Sequence, residues 1–208
     1  MADAGRVIAG MARGRRLVAP GEGTRPLADR VKQTLFAIIQ DDVPGSAFLD
    51  LCAGSGAAGI EALSRGAARA TFVERDRRAA TTIAENLGLT GLAGPSARIV
   101  RADAVAWLGD VGGGEASGGG EPSAGGEPSA GPFDLVVVDP PYAEQDLLLR
   151  LLAILGADEA GRLLAPGARV VAKHFWRDRP PSSIGLLASD RDRRFGETGL
   201  TFYRRGDP

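Results

Sequence analysis

One stretch, Phe48-Leu49-Asp50-Leu51-Cys52-Ala53-Gly54-Ser55-Gly56-Ala57-Ala58-Gly59-Ile60-Glu61, constrains the fold of this chain more than any other. An apolar run interrupted by one acid enters a Gly-Ser-Gly turn, and residues of helical composition follow. That is the pattern of a strand, turn and helix in a doubly wound sheet, a unit that binds a nucleotide-like ligand. Gly54-x-Gly56-x-x-Gly59 also fits the dinucleotide fingerprint, and Glu74 lies about where a ribose-binding acid belongs. Asp50 tips the choice. A carboxylate at the strand's end would repel a pyrophosphate, whereas S-adenosylmethionine (SAM) carries no phosphate and presents ammonium and sulfonium groups. SAM is therefore the expected cofactor. The plainer reading of Asp50 is a helix-capping or turn acid.

The following residues continue the alternation of helix and strand. A helix over 57–65 stops at Gly66, and a buried strand over 70–74 ends on Glu74, placed to accept both ribose hydroxyls or, more plainly, to pair with Arg75 at the surface. After a helix over 77–87 and a third strand over 97–101, Asp103 is suited to receive the adenine amine or simply to cap the next helix through Trp107. The candidate cofactor contacts are thus Asp50, Ala53, Gly54, Ser55, Gly56, Glu74, Arg75, Asp103 and Ala104.

Residues 133–138 form a fully apolar strand but for Asp134, and Asp139-Pro140-Pro141-Tyr142 leaves its carboxyl end, where ligands of such sheets sit. Two consecutive prolines fix the backbone and remove their own N–H donors, leaving nearby carbonyls free to accept. Asp139 and such a carbonyl together can grip an exocyclic NH2, and Tyr142 offers a face for a flipped base. These four residues are the candidate catalytic set. Neither a metal nor a covalent nucleophile is needed, because positioning supplies much of the work. A plain Pro-Pro turn would account for the prolines but not for the aspartate, tyrosine and preceding strand together.

At 208 residues the chain suits one α/β domain with a small extension. A single cysteine, Cys52, excludes an internal disulfide; it reads as a small buried side chain, although its place beside the turn could expose it to alkylation. One histidine and one cysteine make a zinc site unlike this composition, and no apolar run reaches membrane-spanning length, so a cytoplasmic protein is expected. Net charge is only -1, yet residues 1–33 carry seven Arg and Lys against three acids, a local +4. Short apolar pieces at 7–10 and 16–18 predict a basic β-hairpin over 1–25, with Arg13, Arg15, Arg16, Arg25 and Arg30 as candidate RNA contacts. A solvated charged tail is the bland alternative.

The spacing from Pro26 onward predicts a helix with Leu27, Val31, Leu35 and Ile38 inward and Arg30 and Lys32 in water. Within the 26–208 domain, residues 112–131 repeat Gly-Gly-Glu-Pro-Ser-Ala and have too little apolar content to repay ordering, which predicts a flexible insertion. Residues 145–156 read as a Leu-rich helix and 168–173 as strand five, with Lys173 to Trp176 at its end near the substrate mouth; His174 as a base is a minor reading. Residues 184–188 and 199–203 are expected to close the sheet as a hairpin, with Arg191, Arg193 and Arg194 in its turn as phosphate contacts or merely a charged loop.

Asp139-Pro140-Pro141-Tyr142 with the Gly54-Ser55-Gly56 turn resembles the amino methyltransferases of the class I SAM-dependent superfamily. More narrowly, Gly14-Arg15-Arg16-Leu17, Thr24-Arg25-Pro26, Asp29-Arg30-Val31, Leu49-Asp50-Leu51 and Gly59-Ile60-Glu61-Ala62-Leu63-Ser64-Arg65-Gly66 resemble the RsmD family of guanine-N2 methyltransferases. The resemblance implies a Rossmann-like, mostly parallel seven-stranded sheet with an antiparallel last strand, preceded by a small β-hairpin. It also implies SAM as cofactor and, as substrate, the N2 amine of one guanine in 16S ribosomal RNA within an assembling small subunit; a monomer is expected. Leu27 stands where threonine is usual, Cys52 where an aromatic is common, and the Gly-rich insertion is extra. Two other readings stand beside this one: a DNA adenine or cytosine amino methyltransferase, for which no target-recognition domain is evident, and a SAM-sensing RNA-binding assembly factor without turnover, which would have little use for the tetrapeptide.

Overall fold

A computed structural model describes residues 3–21, 27–113, 132–158 and 163–206. Arg25, Pro26 and the expected flexible insertion from residue 114 onward lie outside the described residues. Five parallel strands form one side of the sheet: β3 (Ala47–Leu51), β4 (Arg69–Val73), β5 (Ala97–Val100), β6 (Phe133–Val138) and β7 (Leu164–Phe175). They are followed by β8 (Ser183–Ile184), β9 (Leu187–Phe195) and β10 (Thr198–Arg205), which pair antiparallel, and the spatial order is β5-β4-β3-β6-β7-β10-β9-β8. The sheet has eight strands where seven were expected, the addition being the two-residue β8 on the edge. Strand order reverses at β3, which lies between β4 and β6, and the crevice opens at that switch point.

Period-two alternation sends successive side chains to opposite faces, and each face has its own core. Phe48, Leu135 and Val137 pack under α1 (Asp29–Ile38), α2 (Ala57–Ser64) and α3 (Arg77–Thr90), meeting Leu35, Phe36, Ile60 and Ile83. Leu49, Leu51, Val136 and Val138 pack against Trp107 of α4 (Ala104–Gly113) and the leucines of α5 (Gln145–Gly156). Asp50 thus belongs to the α2 side of a strand otherwise apolar on both faces.

The N-terminal hairpin forms, with β2 (Arg16–Val18) where the apolar residues indicate, but its first strand precedes the expected 7–10: β1 is Asp3–Arg6. Pairing runs on only to Val7, whose N–H donates to the Arg15 carbonyl at 2.9 Å. The next two N–H groups, of Ile8 and Ala9, donate to the carboxylate of fully buried Glu61 at 2.7 and 3.0 Å, which pulls the chain off the ladder and onto α2. The same packing corrects the reading of Lys32. It is fully buried, and its Nζ donates to the Arg6 carbonyl at 2.6 Å, because the hairpin covers that face of α1; burial lowers its pKa, partly offset by Glu61 and Asp29. Helix α1 itself starts at Asp29.

At the C-terminus, the strand expected over 184–188 is broken at Gly185-Leu186, the turn between β8 and β9, while Arg191, Arg193 and Arg194 lie within β9 and not in a turn. The turn between β9 and β10 is Gly196-Glu197. A charged alternating run resembles a loop in sequence, yet an edge-side strand with one solvated face tolerates it.

Candidate active site

A cleft of about 690 Å³ opens at the carboxyl ends of β3, β4, β5 and β6. It brings together Asp50, Gly54, Glu74, Asp103, Asp139 and Tyr142, drawn from four separate strand ends. Ala53, Ser55, Arg75, Ala104, Pro140 and Pro141 also line it. Gly56 does not; it is the left-handed N-cap of α2, with φ 75°.

The turn holds three left-handed residues within five: Cys52 (φ 60°), Gly54 (φ 55°) and Gly56 (φ 75°). A side chain at Gly54 would meet no atom within 4 Å, so that position needs glycine for its backbone angle. Gly59 is needed for space, since a Cβ there would lie 2.2 Å from Cε1 of Phe72, where α2 crosses β4. Cys52 adopts its angle without that freedom, a strained conformation of the kind found at functional turns. Burial pushes its thiol up to about 12, reinforced by the Glu74, Asp139 and Asp50 carboxylates, so it is a poor nucleophile and not the reactive thiol its location suggested.

Asp50 is 1 % exposed, and its Oδ2 accepts from the Gly59 N–H at 2.9 Å. It therefore does cap α2 from the adjoining strand while also lining the cleft. Burial holds its carboxyl well above the usual range despite that hydrogen bond, and the neighbouring Asp139 and Glu74 push it the same way. A cation in the cleft would relieve this, and a phosphate would aggravate it. Glu74 also has defined partners: Oε2 accepts from Gly54 N–H at 2.8 Å and Oε1 from Asp76 N–H at 2.9 Å. Each oxygen keeps lone-pair capacity for a hydroxyl. Arg75 pairs with Glu144 at 2.5 Å, bridging the end of β4 to the start of α5. Asp103 caps α4, its Oδ1 accepting from Val105 and Ala106 N–H at 3.0 Å each. An acid-walled, phosphate-averse cleft with hydroxyl acceptors fits a cationic nucleoside such as SAM.

Asp139 is tied to β3 by its own N–H, which donates to the Leu51 carbonyl at 3.2 Å, so the motif and the Gly54 turn are parts of one frame. The sequence reading did not assign a role to Lys173. Its Nζ donates to Asp139 Oδ1 and lies 4.9 Å from the centre of the Tyr142 ring. The Tyr142 hydroxyl is 2.6 Å from Thr198 Oγ1. A lysine closing the apolar run Val170-Val171-Ala172, on the strand next to the motif strand, was the available signal. Asn86 was missed too. Fully buried on α3, it joins β2 to the turn, donating from Nδ2 to the Val18 and Ser55 carbonyls at 2.9 Å each and accepting from Val18 N–H at 2.8 Å. An amide on the apolar stripe between Ile83 and Leu87 was its signal.

His174 is buried and does not line the cleft. Its Nδ1 lies 2.8 Å from the Phe175 carbonyl, which can only accept, and Nε2 lies 3.0 Å from Thr201 Oγ1; burial lowers its pKa. It packs edge to backbone against Gly199 and is not placed as a base. Arg13, Arg15 and Arg16 are exposed in and beside the N-terminal hairpin, and Arg30 is exposed on α1. Pro20 and Gly21, just after β2, reach the rim of the cleft, whereas the turn carrying Arg13 and Arg15 is fastened to Ser64 at the far end of α2. Among the described residues no group of three or more His, Cys, Asp or Glu is placed to hold a metal ion, and no helix is long and apolar enough to cross a membrane.

The switch-point cleft, acid-walled turn and Asp-Pro-Pro-Tyr edge define a Rossmann-like, class I SAM-dependent methyltransferase. Residues 5–116 and 123–204 match the family described as "Conserved hypothetical protein 95". The chain is 35% identical to the "Putative rRNA methyltransferase YlbH" of Bacillus subtilis, across 96% of this chain and 98% of that one. It is 32% identical to "Ribosomal RNA small subunit methyltransferase D" of Escherichia coli, across 96% of this chain and 89% of that one. A solved Escherichia coli structure, "Putative methyltransferase yhhF", superposes with a TM-score of 0.76 at 31% identity, covering 97% of each chain. The chain belongs to this family, the RsmD family.

Proposed function

We propose that this protein methylates the exocyclic N2 amine of a guanine in 16S ribosomal RNA, drawing the methyl group from SAM, and that it does so in the cytoplasm, as a monomer, on an assembling small subunit. The observation that carries the reading is the shared cleft: the Gly54 turn and the Asp139–Tyr142 edge face one space of about 690 Å³. Kinship with a ribosomal RNA small subunit methyltransferase supports the choice of substrate.

Asp50 and Glu74, with the Gly54 turn between them, would hold SAM, Asp50 toward its cationic end and Glu74 toward its ribose. Bound there, SAM supplies a methyl carbon made electrophilic by the attached sulfonium. The protein's own residues do the positioning. Lys173 occupies Asp139 Oδ1, which leaves Oδ2 to accept one N–H of the amine and the Pro140 carbonyl to accept the other. Held by both hydrogens, the amine keeps its lone pair out of conjugation with the purine and directed along one line of attack. Tyr142, fixed by Thr198 at its hydroxyl and by Lys173 at its ring, gives the base a surface to lie on. The nitrogen would gain the methyl as the carbon–sulfur bond breaks and its electron pair returns to sulfur, leaving a neutral thioether, and would then give up a proton to water, so no dedicated base is required.

Transfer of radiolabelled methyl from SAM to small-subunit particles tests the reading. Wild-type protein labels the RNA and Asp139→Ala does not; normal labelling by the variant would remove Asp139 from its role.

A further inference from the structure

The parallel strands and the returning hairpin bring a second group of cationic and aromatic side chains to the same end of the sheet as the cleft. Moving outward from β6, the strand order is β7, β10 and β9. β7 ends at Phe175, β10 begins at Thr198, and β9 ends at Phe195, so all three present these termini on the cleft side. Rings mark the route: Tyr142 to Phe175 is 6.1 Å between centroids, and Phe175 to Trp176 is 6.3 Å. Trp176 then carries two guanidinium groups, Arg194 at 3.6 Å and Arg177 at 4.9 Å from its ring centre. The Trp176 N–H donates to the Glu197 carbonyl at 2.9 Å, which fastens this platform to the β9–β10 turn.

These arginines are exposed and none forms an ion pair with a carboxylate among the described residues. Among the described residues, Arg193 and Arg194 donate to backbone carbonyls, of Asp192 (2.8 Å) and Gly196 (3.0 Å). Asp192, the acid between Arg191 and Arg193 in sequence, is engaged by Arg179 and by the Thr201 hydroxyl. Stacking on an indole orders a guanidinium in advance, so less freedom is lost when a phosphate or a base plane arrives. The distance from β6 to β9 is three strand spacings, on the order of 14 Å. On the other side of the cleft, Pro20 and Gly21 line it just after β2, which packs on α3.

Resting on the functional reading above, we infer that the Trp176 platform with Arg177, Arg193 and Arg194 is a docking rim for the single-stranded RNA segment flanking the target guanine. The rim and the Pro20-Gly21 segment bracket the cleft, so the RNA strand crosses it from the rim toward that segment with the target base turned inward at Tyr142. Guanidinium planes and aromatic rings suit unpaired RNA, whose bases stack and whose phosphates take fork-shaped donors.

The test is the triple variant Arg177→Gln, Arg193→Gln, Arg194→Gln, assayed for binding to 16S ribosomal RNA across a salt series and for methyl transfer. The expected result is a roughly tenfold or greater loss of affinity near physiological salt, with the log-log salt slope reduced by about 2, since each single-strand phosphate contact contributes about 0.7. SAM affinity stays unchanged, and saturating RNA restores kcat. Trp176→Ala, which keeps the charges but removes their platform, lowers affinity with little change in slope. Unchanged RNA affinity and slope in the triple variant, alongside an inactive Asp139→Ala, overturn the rim and leave the functional reading standing. Normal binding to naked RNA with methylation lost only on protein-containing particles overturns it too, in favour of a protein contact. If the wild type transfers methyl to no ribosomal RNA, the functional reading fails and the rim fails with it.

Discussion

Replacing Lys173 by Met removes a cation that touches both Asp139 and Tyr142. The Lys173 and Asp139 side chains are 10% and 19% exposed. Removing one partner of a fully buried ion pair costs ~3–5 kcal/mol. Because this pair borders an open cleft, water can solvate the abandoned carboxylate, and a loss of ~2 kcal/mol is the reasonable expectation. Asp139 then leaves its fixed position, and Tyr142 loses the ammonium 4.9 Å from its ring. If that loss falls on the transition state, the methyl-transfer rate drops about 30-fold. Single-turnover transfer from radiolabelled SAM at saturating RNA measures it directly, with SAM affinity followed separately. Lys173→Arg, which keeps the charge, should recover part of the rate. A Lys173→Met enzyme with the wild-type single-turnover rate would refute the argument that Lys173 positions Asp139.

Three further outcomes follow from the geometry. Gly59→Ala sets a methyl group 2.2 Å from the buried Phe72 ring, so overpacking should cost ~2–3 kcal/mol and lower Tm by roughly 5 °C; an unchanged thermal unfolding curve would contradict it. With its thiol raised to about 12, Cys52 should react with iodoacetamide at pH 8 about a thousandfold more slowly than an ordinary cysteine, and alkylation followed by mass spectrometry checks this. Burial lowers the pKa of His174 below its unfolded value near 6.5, so the unfolded chain binds the proton first. Its contribution to stability is therefore complete above about pH 6.5 and lost as pH falls below it, and urea unfolding of wild type against His174→Asn at pH 8 and 5.5 should show the wild-type advantage shrinking.

The parallel half of the sheet was legible because buried parallel strands write themselves as apolar runs between glycine turns, as at residues 48–51 and 133–138. The cleft was legible for a related reason: a carboxylate at or next to the end of such a run, at Asp50, Glu74 or Asp139, stands out from the apolar core and falls at the carboxyl end of its strand, where the cleft opens. What stayed hidden depends on which surfaces meet. Lys32 occupies a helical position that sequence spacing assigns to water, and only the hairpin folding over α1 buries it. Glu61 reads as an ordinary helix acid, yet it holds two backbone N–H groups more than fifty residues away. Lys173 reads as the end of a strand, and its partnership with Asp139 exists only because β7 lies beside β6. The charges of β9 concealed a strand, since alternation of charged with charged residues leaves no period-two contrast.

Nucleoside mass spectrometry of 16S ribosomal RNA from cells with and without this gene tests the central claim most directly. One N2-methylguanosine should be present with the gene, absent without it, and restored by the wild-type chain but not by Asp139→Ala. Identical modification in both strains, or a lost methyl on adenine or cytosine instead, would contradict the account.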